Sequence, residues 1–593
     1  MNVVTTNRAN CRDCYKCVRS CPMKAIKIVE GHAQVVDEKC IQDGICVKVC
    51  PQGAKEIRDD LDTAKSLIGS GVQLMASIAP SFVAAFDHRE PGKIVAALRR
   101  LGFSKVQETA LGAELVARAE QQLQKFASKP VISSSCPAVV NLIKKYYPEA
   151  IPYLSPIVSP MVAHARMAKR YWGRDLKVVF IGPCVAKKGE MEWGDSVDAV
   201  LTFEELIEWL DDKGIIPEEL PCEAFDSFKC NSKAIEDSSG FARLFPVEGG
   251  FLKTAQFGTD SLEKDTLIIS GIDSCVEFLK EFVKKEDIEK EDDPLRVVEM
   301  LGCSGGCING PGFQWNGDLF TRRRKVLEYS SGEDRAIILP NIFIDDMKSQ
   351  IKAVESEGDG WLFQRYRDER VILPLPDEAE IRKILAATGK FTRSDELNCG
   401  ACGYNSCREK AIAVYQGMAE VEMCIPYMRA RAESLSTLVL ESIPNGIIVT
   451  DRKFKILEIN SSIEQMFRWN PDKMKGENLS EFIDCELFVK AVEDRTPQSG
   501  KGTYNGSDLV MTLLVVPVPK EGLLIGIFTD ITREERQREE LTRVKMETAE
   551  KAQQVIDKQM RVAQEIAGLL GETTAETKVL LTKLVQLIKA EEG

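Results

Sequence analysis

The stretch Glu299–Gly312 reads Glu-Met-Leu-Gly-Cys-Ser-Gly-Gly-Cys-Ile-Asn-Gly-Pro-Gly and sets Cys303 and Cys307 four residues apart among Gly302, Gly305, Gly306, Gly310 and Gly312. Thiolates are soft ligands that suit iron–sulfur clusters. Glycine lets backbone pass close to a bulky ligand or take a positive φ. Alone, the loop could equally be a tight turn with two buried thiols. Two more cysteines stand upstream in marked settings, Cys136 in Ile132-Ser-Ser-Ser-Cys-Pro137 and Cys184 in Gly182-Pro-Cys-Val-Ala-Lys-Lys-Gly-Glu190.

The chain opens with Cys11-x2-Cys14-x2-Cys17-x3-Cys21-Pro22 and repeats the run as Cys40-x2-Asp43-x2-Cys46-x3-Cys50-Pro51. In this two-cluster ferredoxin spacing, three close thiolates wrap one cube and the fourth, before proline, turns to the neighbouring cube. One cluster would take Cys11, Cys14, Cys17 and Cys50. The other would take Cys21, Cys40 and Cys46, with Asp43 where a cysteine is expected. Asp43 could bind the fourth iron, or the site could hold a 3Fe-4S cluster; a zinc-binding repeat is the plainer alternative. A last set, Cys399-x2-Cys402-x4-Cys407-x16-Cys424, fits a 4Fe-4S cluster, with a four-cysteine zinc site as its rival. Cys222, Cys230 and Cys275 match no motif and read as packing residues.

The elements that must position these residues are legible in part. A buried strand is expected over 72–78, with amphipathic helices over 93–100 and 111–126 and further strands over 178–182 and 267–270. That is α/β character with chemistry on loops at strand ends. Between Cys407 and Cys424, Ala411, Val414, Met418 and Val421 recur at helical spacing, so a helix is expected to bring Cys424 back to its partners. Residues 434–535 change to short strands, expected over 447–450, 455–460, 508–516 and 523–528. Beyond them the chain is charged and helical. Ala552, Val555, Val562, Ile566 and Leu569, with Gln559 as one polar member, form a short coiled-coil seam. A helical hairpin is the alternative. Gly571 ends that helix, and Thr573 with Glu576 offers a capping box for a last helix.

Composition narrows the class. At 593 residues several domains are expected. A net charge of −13 argues against nucleic acid as a partner. No apolar run is long enough to span a bilayer, and the first residues lack a secretory core. A cytoplasmic protein is therefore expected, in which nineteen cysteines suit metal clusters better than disulfides. The three histidines, His32, His88 and His164, leave no histidine-rich metal or haem site.

The segments around Cys136, Cys184 and Cys303, in this order, resemble the active-site loops of the iron-only (FeFe) hydrogenases, which read Thr-Ser-Cys-Cys-Pro, Met-Pro-Cys-x-x-Lys-x-x-Glu and Glu-x-Met-x-Cys-x-x-x-Cys. The resemblance runs from about residue 70 to 375. It implies that Cys136, Cys184 and Cys303 ligate a 4Fe-4S cube and that Cys307 bridges it to a di-iron unit carrying CO, cyanide and a dithiolate, together the H-cluster. It implies that Lys187 hydrogen-bonds a cyanide and that Ala79, Pro80 and Ser81 touch the diatomic ligands. The implied activity is reversible H2 oxidation, with protons and a ferredoxin or other redox protein as partners.

This chain departs from the family where protons move. Ser135 replaces the cysteine that takes the proton; a serine hydroxyl has a far higher pKa than a thiol, and proton transfer works best between groups of matched pKa. Glu120 and Ser155 match the family's relay, but Leu123 falls where a second glutamate belongs. Met161 and Gly182 replace polar contacts near the di-iron site, and Leu301 replaces a methionine. Low turnover is expected. Residues 399–424 resemble a small 4Fe-4S domain of anaerobic electron-transfer proteins, and 434–535 resemble a PAS sensor domain closing on Asp530-Ile531-Thr532, in which Cys485 is unlike a flavin-adduct cysteine. The whole resembles the sensory hydrogenases that carry a PAS domain.

The expected organisation is thus a multidomain α/β and α+β chain. A two-cluster ferredoxin domain (1–60) precedes an H-cluster domain (61–375). A small α-helical 4Fe-4S domain (376–430), a PAS domain (434–535) and coiled-coil helices (536–593) follow. A homodimer and a separate kinase or phosphatase partner are expected, since no output motif is visible.

Overall fold

The computed structural model describes residues 2–86, 89–127, 129–228, 239–260, 262–284, 294–313, 318–332, 337–354, 360–504, 509–569 and 575–590. His88, Cys230, Asp508, Gly571 and Thr573 lie outside them. The chain divides into two compact units, residues 1–427 and 428–593. The boundary falls inside one helix, Ile425–Ser442.

In the first unit the cysteine-rich N-terminus folds as two similar halves. The strands Val4–Thr6 and Lys55–Ile57 pair antiparallel, as do Ile26–Val29 and His32–Val35. Each cysteine run enters a single helical turn, Lys16–Ser20 or Ile45–Lys48, through a left-handed residue, Tyr15 or Gly44. This is a ferredoxin-type domain.

The larger domain carries parallel strands. Among the described residues one sheet has the order Lys105–Glu108, Leu74–Ile78, Lys177–Ile181, Ala199–Leu201. A second has the order Thr266–Ser270, Val297–Leu301, Val131–Ile132. All neighbours in both are parallel. Every residue of Leu74–Ile78 and of Val297–Leu301 is buried, as expected where helices cover both faces of a parallel sheet. The expected strands and helices of this region are present to within a few residues.

In the small domain the helix is shorter than its periodicity implied. It spans Cys407–Tyr415, capped by the Ser406 side chain, and stops before Gly417, which takes a positive φ. A single 3-10 turn, Val421–Met423, then delivers Cys424. The apolar period continues past the helix because Met418 and Met423 are buried in the interface with the ferredoxin-type domain.

The second unit holds a five-stranded antiparallel sheet in the order Ile456–Ile459, Gly446–Asp451, Leu523–Asp530, Val510–Val518, Gln498–Thr503. Helices Ser461–Phe467 and Glu486–Asp494, which the sequence pattern left unmarked, pack into its core through Ile463, Phe467 and Phe488. Thr532 opens a long helix, Thr532–Leu569, and Ala575–Ala590 follows it. Val555, Val562 and Ile566 of the seam are exposed.

Candidate metal centres

Four motif loops leave the carboxyl ends of parallel strands, two from each sheet. Ala79-Pro80-Ser81 follows Leu74–Ile78, and Gly182-Pro183-Cys184 follows Lys177–Ile181. Ser133 to Cys136 follow Val131–Ile132, and Gly302-Cys303 follow Val297–Leu301. Strand ends of this kind are where open α/β sheets place ligands. The loops converge on a cavity of about 90 Å3 whose wall includes Cys136, Cys184, Cys307, Lys187, Ser135 and Glu299. Ala79, Pro80, Ser81 and Met161 line it as well. Cys303 lies close enough to Cys184 and Cys307 for their charges to raise its thiol, and it lines a neighbouring cleft.

The glycines of the third loop serve backbone against backbone. A Cβ on Gly306 would lie 2.4 Å from the Pro246 carbonyl oxygen, and one on Gly310 would lie 2.4 Å from that of Pro183. The loop is therefore seated on the Pro183-Cys184 turn, which holds Cys184 and Cys307 on one cavity. At Gly182 a Cβ would lie 2.7 Å from the Phe180 ring, so that ring occupies the room of a side chain there.

The electrostatics ask for a cation. Burial pushes the Cys184 thiol up to about 11, with the charge of Cys136 adding to the rise. Burial, then Cys184, also raises Cys303 and Cys307. Such thiols stay protonated unless a metal ion replaces the proton. Ser81 Oγ and Glu299 Oε1 are buried without a hydrogen-bond partner among the described residues. Lys187 Nζ donates to Glu190 Oε2 at 2.6 Å and to the Ser135 carbonyl at 3.4 Å. An ammonium has three N–H groups, so one is left to face the cavity. An apolar cavity with these donors on its wall fits a bulky metal group bearing small acceptor ligands.

Ser155 Oγ donates to Glu120 Oε1, and burial pushes that carboxyl up to about 7. Leu123 is the last residue of the helix Ala110–Leu123 and packs on the main core, so it adds no carboxylate to the pair. In the sequence Glu299 is one letter of a motif, and nothing there marks it as a titratable group. Burial pushes it up to about 8, against the amides of Leu252, Phe251 and Gly249.

The other cysteine sets are also gathered. Cys11, Cys14, Cys17 and Cys50 line one cavity. Cys21, Cys40, Cys46 and Asp43 act on one another electrostatically. Asp43 Oδ2 is buried and has no hydrogen-bond partner among the described residues, and burial pushes the carboxyl up to about 6. Cys399, Cys402, Cys407 and Cys424 line a third cavity with Lys390 and Lys410. Cys275 is buried, as expected of packing, whereas Cys222 is exposed.

These centres adjoin one another. The helix Pro137–Tyr146, which starts beside Cys136, ends where Lys145 Nζ donates to the Cys40 carbonyl at 2.7 Å. Lys48 Nζ, just past Cys46, donates to Asn309 Oδ1 at 2.6 Å. Arg19 bridges the carbonyls of Cys14 and Ala401 at 2.9 and 3.1 Å.

The family of C-terminal domains of the iron-only hydrogenase large subunit matches residues 72–311, the 4Fe-4S dicluster domain 3–62, an Fe-S cluster family 395–426 and the PAS fold 437–531. The chain is an FeFe-hydrogenase-like multidomain iron–sulfur protein with a PAS domain. Iron hydrogenase 1 of Clostridium pasteurianum is 25% identical over 52% of this chain and 64% of its own length. The NADP-reducing hydrogenase subunit HndD of Solidesulfovibrio fructosivorans is 27% identical over 49% of this chain and 59% of its own. The cytosolic Fe-S cluster assembly factor NAR1 of Yarrowia lipolytica is 26% identical over 35% and 43%. The matched part thus spans less than two thirds of each of these relatives. Among the described residues, no helix is long and apolar enough to cross a membrane.

Proposed function

We propose that this protein is an H2- or redox-responsive member of the FeFe-hydrogenase type, of low turnover, that relays the state of its active centre through its other clusters to the PAS domain. The observation that carries the proposal is the cavity beside Cys307, with three cysteines, the unpartnered Ser81 hydroxyl and Lys187 on its wall. Cys136, Cys184 and Cys303 would hold the cube and Cys307 the bridge to a di-iron unit. When bound, that unit would supply reversible heterolytic cleavage of H2. Lys187 and Ser81 would orient it by hydrogen bonds, while Ala79, Pro80 and Met161 keep water away. Ser135 would stand at the start of the proton route, with Glu120 and Ser155 holding a proton further on. The interrupted route is what makes turnover low, because proton transfer works best between groups of matched pKa.

Electrons would pass between the centre and the ferredoxin-type clusters, with a ferredoxin or similar protein as exchange partner. A homodimer acting on a separate signalling protein completes the relay. A scaffold holding cubes alone is the second reading, favoured by the similarity to an Fe-S cluster assembly factor. Infrared spectroscopy of the matured protein separates them. CO and cyanide stretching bands are expected, and their absence would leave the scaffold. H2 uptake as fast as that of relay-intact relatives would favour a metabolic hydrogenase over a sensor.

A further inference from the structure

Glu299 lies in a strand that is otherwise apolar and fully buried, and its carboxyl faces the cavity of the candidate centre. One oxygen, Oε2, accepts from the Leu252 amide at 3.2 Å. The other, Oε1, has no partner among the described residues. An unmet buried carboxyl oxygen costs about 1–3 kcal/mol, so packing alone does not account for a glutamate here. The parallel register pairs Glu299 with Ile268 and Leu301 with Ser270, so Glu299 and Ser270 project from one face of the sheet, and the charge of Glu248 adds to the rise of Glu299. Glu248 Oε1 accepts from Ser270 Oγ, and from the Gly305 amide at 2.9 Å. Ser270 lines a second, larger cleft of about 360 Å3 between the ferredoxin-type domain and the Cys303 loop. Asp273, Ser274 and Ser304 on its wall are exposed, so the cleft reaches solvent. Asp43 and Lys48 are the titratable groups facing it from the ferredoxin-type side.

We infer that Glu299, Glu248 and Ser270 form a proton route from the candidate active-site cavity to the solvent cleft, separate from the interrupted Ser135, Glu120 and Ser155 route. Each transfer breaks one O–H bond and forms another, moving a proton and no electrons. In the outward direction Glu299 passes its proton by way of a water molecule to the Glu248 carboxylate, which exchanges it through the Ser270 hydroxyl, hydrogen-bonded to it, with water in the cleft. The route rests on the H2 reading for its purpose, but its existence does not depend on a loaded centre.

The test therefore uses the full chain, with clusters reconstituted and without the di-iron unit, and follows the C=O stretch of the protonated carboxyl on transfer to D2O. Glu299→Gln identifies the band by removing it. The parent band is expected to shift rapidly. Glu248→Gln and Ser270→Ala are expected to slow the shift by about a hundredfold, the low end of what a positioned acid–base group contributes. Exchange as fast in both variants as in the parent would overturn the route, as would a Glu299 carboxyl that does not exchange in the parent. In matured protein the same two variants should slow H/D exchange of H2 and leave the CO and cyanide bands in place. Missing CO and cyanide bands in the parent would defeat the H2 reading alone, since the carboxyl measurement stands without them.

Discussion

Lys390 Nζ lies 3.2 Å from Cys424 Sγ, and both are buried. The ammonium also donates to the Thr388 carbonyl and hydroxyl, which fixes it on the thiol. A cation held against a cluster ligand stabilises the more negative, reduced state. Lys390→Met should therefore lower the midpoint potential of the cluster held by Cys399, Cys402, Cys407 and Cys424, with the cluster still assembled. A redox titration followed by electron paramagnetic resonance reads this. An unchanged potential would mean that the lysine only fills space.

Asp43 makes a prediction with a definite sign. Its buried carboxyl is pushed up to about 6, above the ordinary value of about 3.9. The folded apoprotein therefore holds the proton more tightly than the unfolded chain. Stability from this group is fully present below about pH 4 and is lost as pH rises through about 6. Asp43→Asn should flatten that part of the pH–stability curve of the apoprotein. Asp43→Cys should convert the second ferredoxin-type site to a four-thiolate 4Fe-4S cluster. Unchanged spectra after that substitution would remove Asp43 from the ligand set.

The proton relay can be rebuilt. Ser135 lines the cavity, and Glu120 with Ser155 is already in place. The double variant Ser135→Cys with Leu123→Glu supplies the two missing groups. H2 oxidation with an artificial acceptor should rise by about a hundredfold, the low end for a positioned acid–base group. No rise in protein that shows CO and cyanide bands would mean that proton transfer does not limit turnover.

Gly403 is where the small cluster domain meets the ferredoxin-type domain. It has φ of 95°, and a Cβ there would lie 3.0 Å from Val18 Cγ1. Gly403→Ala should cost about 1–2 kcal/mol from left-handed strain, and Gly403→Val more because Val18 must move. Thermal unfolding of the reconstituted chain measures both. An alanine variant as stable as the parent would show that the contact is slack.

The sequence carried the site further than the fold. Cys136, Cys184, Cys303 and Cys307 stood out because cluster ligands sit in glycine- and proline-marked turns, and the strands feeding those turns are short and mostly apolar. Helices Ser461–Phe467 and Glu486–Asp494 were not legible because each presents only two or three buried side chains. The early stop of the helix at Tyr415 was hidden because Met418 and Met423 keep up the apolar period for a different neighbour. Glu299, Glu248 and Ser270 are far apart in sequence, and only the fold sets Glu299 and Ser270 on one sheet face and bonds Ser270 to Glu248. Lys390 was invisible for the same reason, being 34 residues from Cys424.

The long helix Thr532–Leu569 keeps Val555, Val562 and Ile566 exposed, at 59%, 47% and 53% of their surface. They recur at coiled-coil spacing, and apolar side chains on such a stripe gain by meeting a second copy. A Val562→Glu, Ile566→Glu variant places like charges on both helices of a pair. It should sediment as a monomer where the parent sediments as a dimer, with the PAS fold intact by circular dichroism. A parent that is itself monomeric at micromolar concentration would remove the homodimer from the proposed relay and leave the stripe to the separate signalling partner.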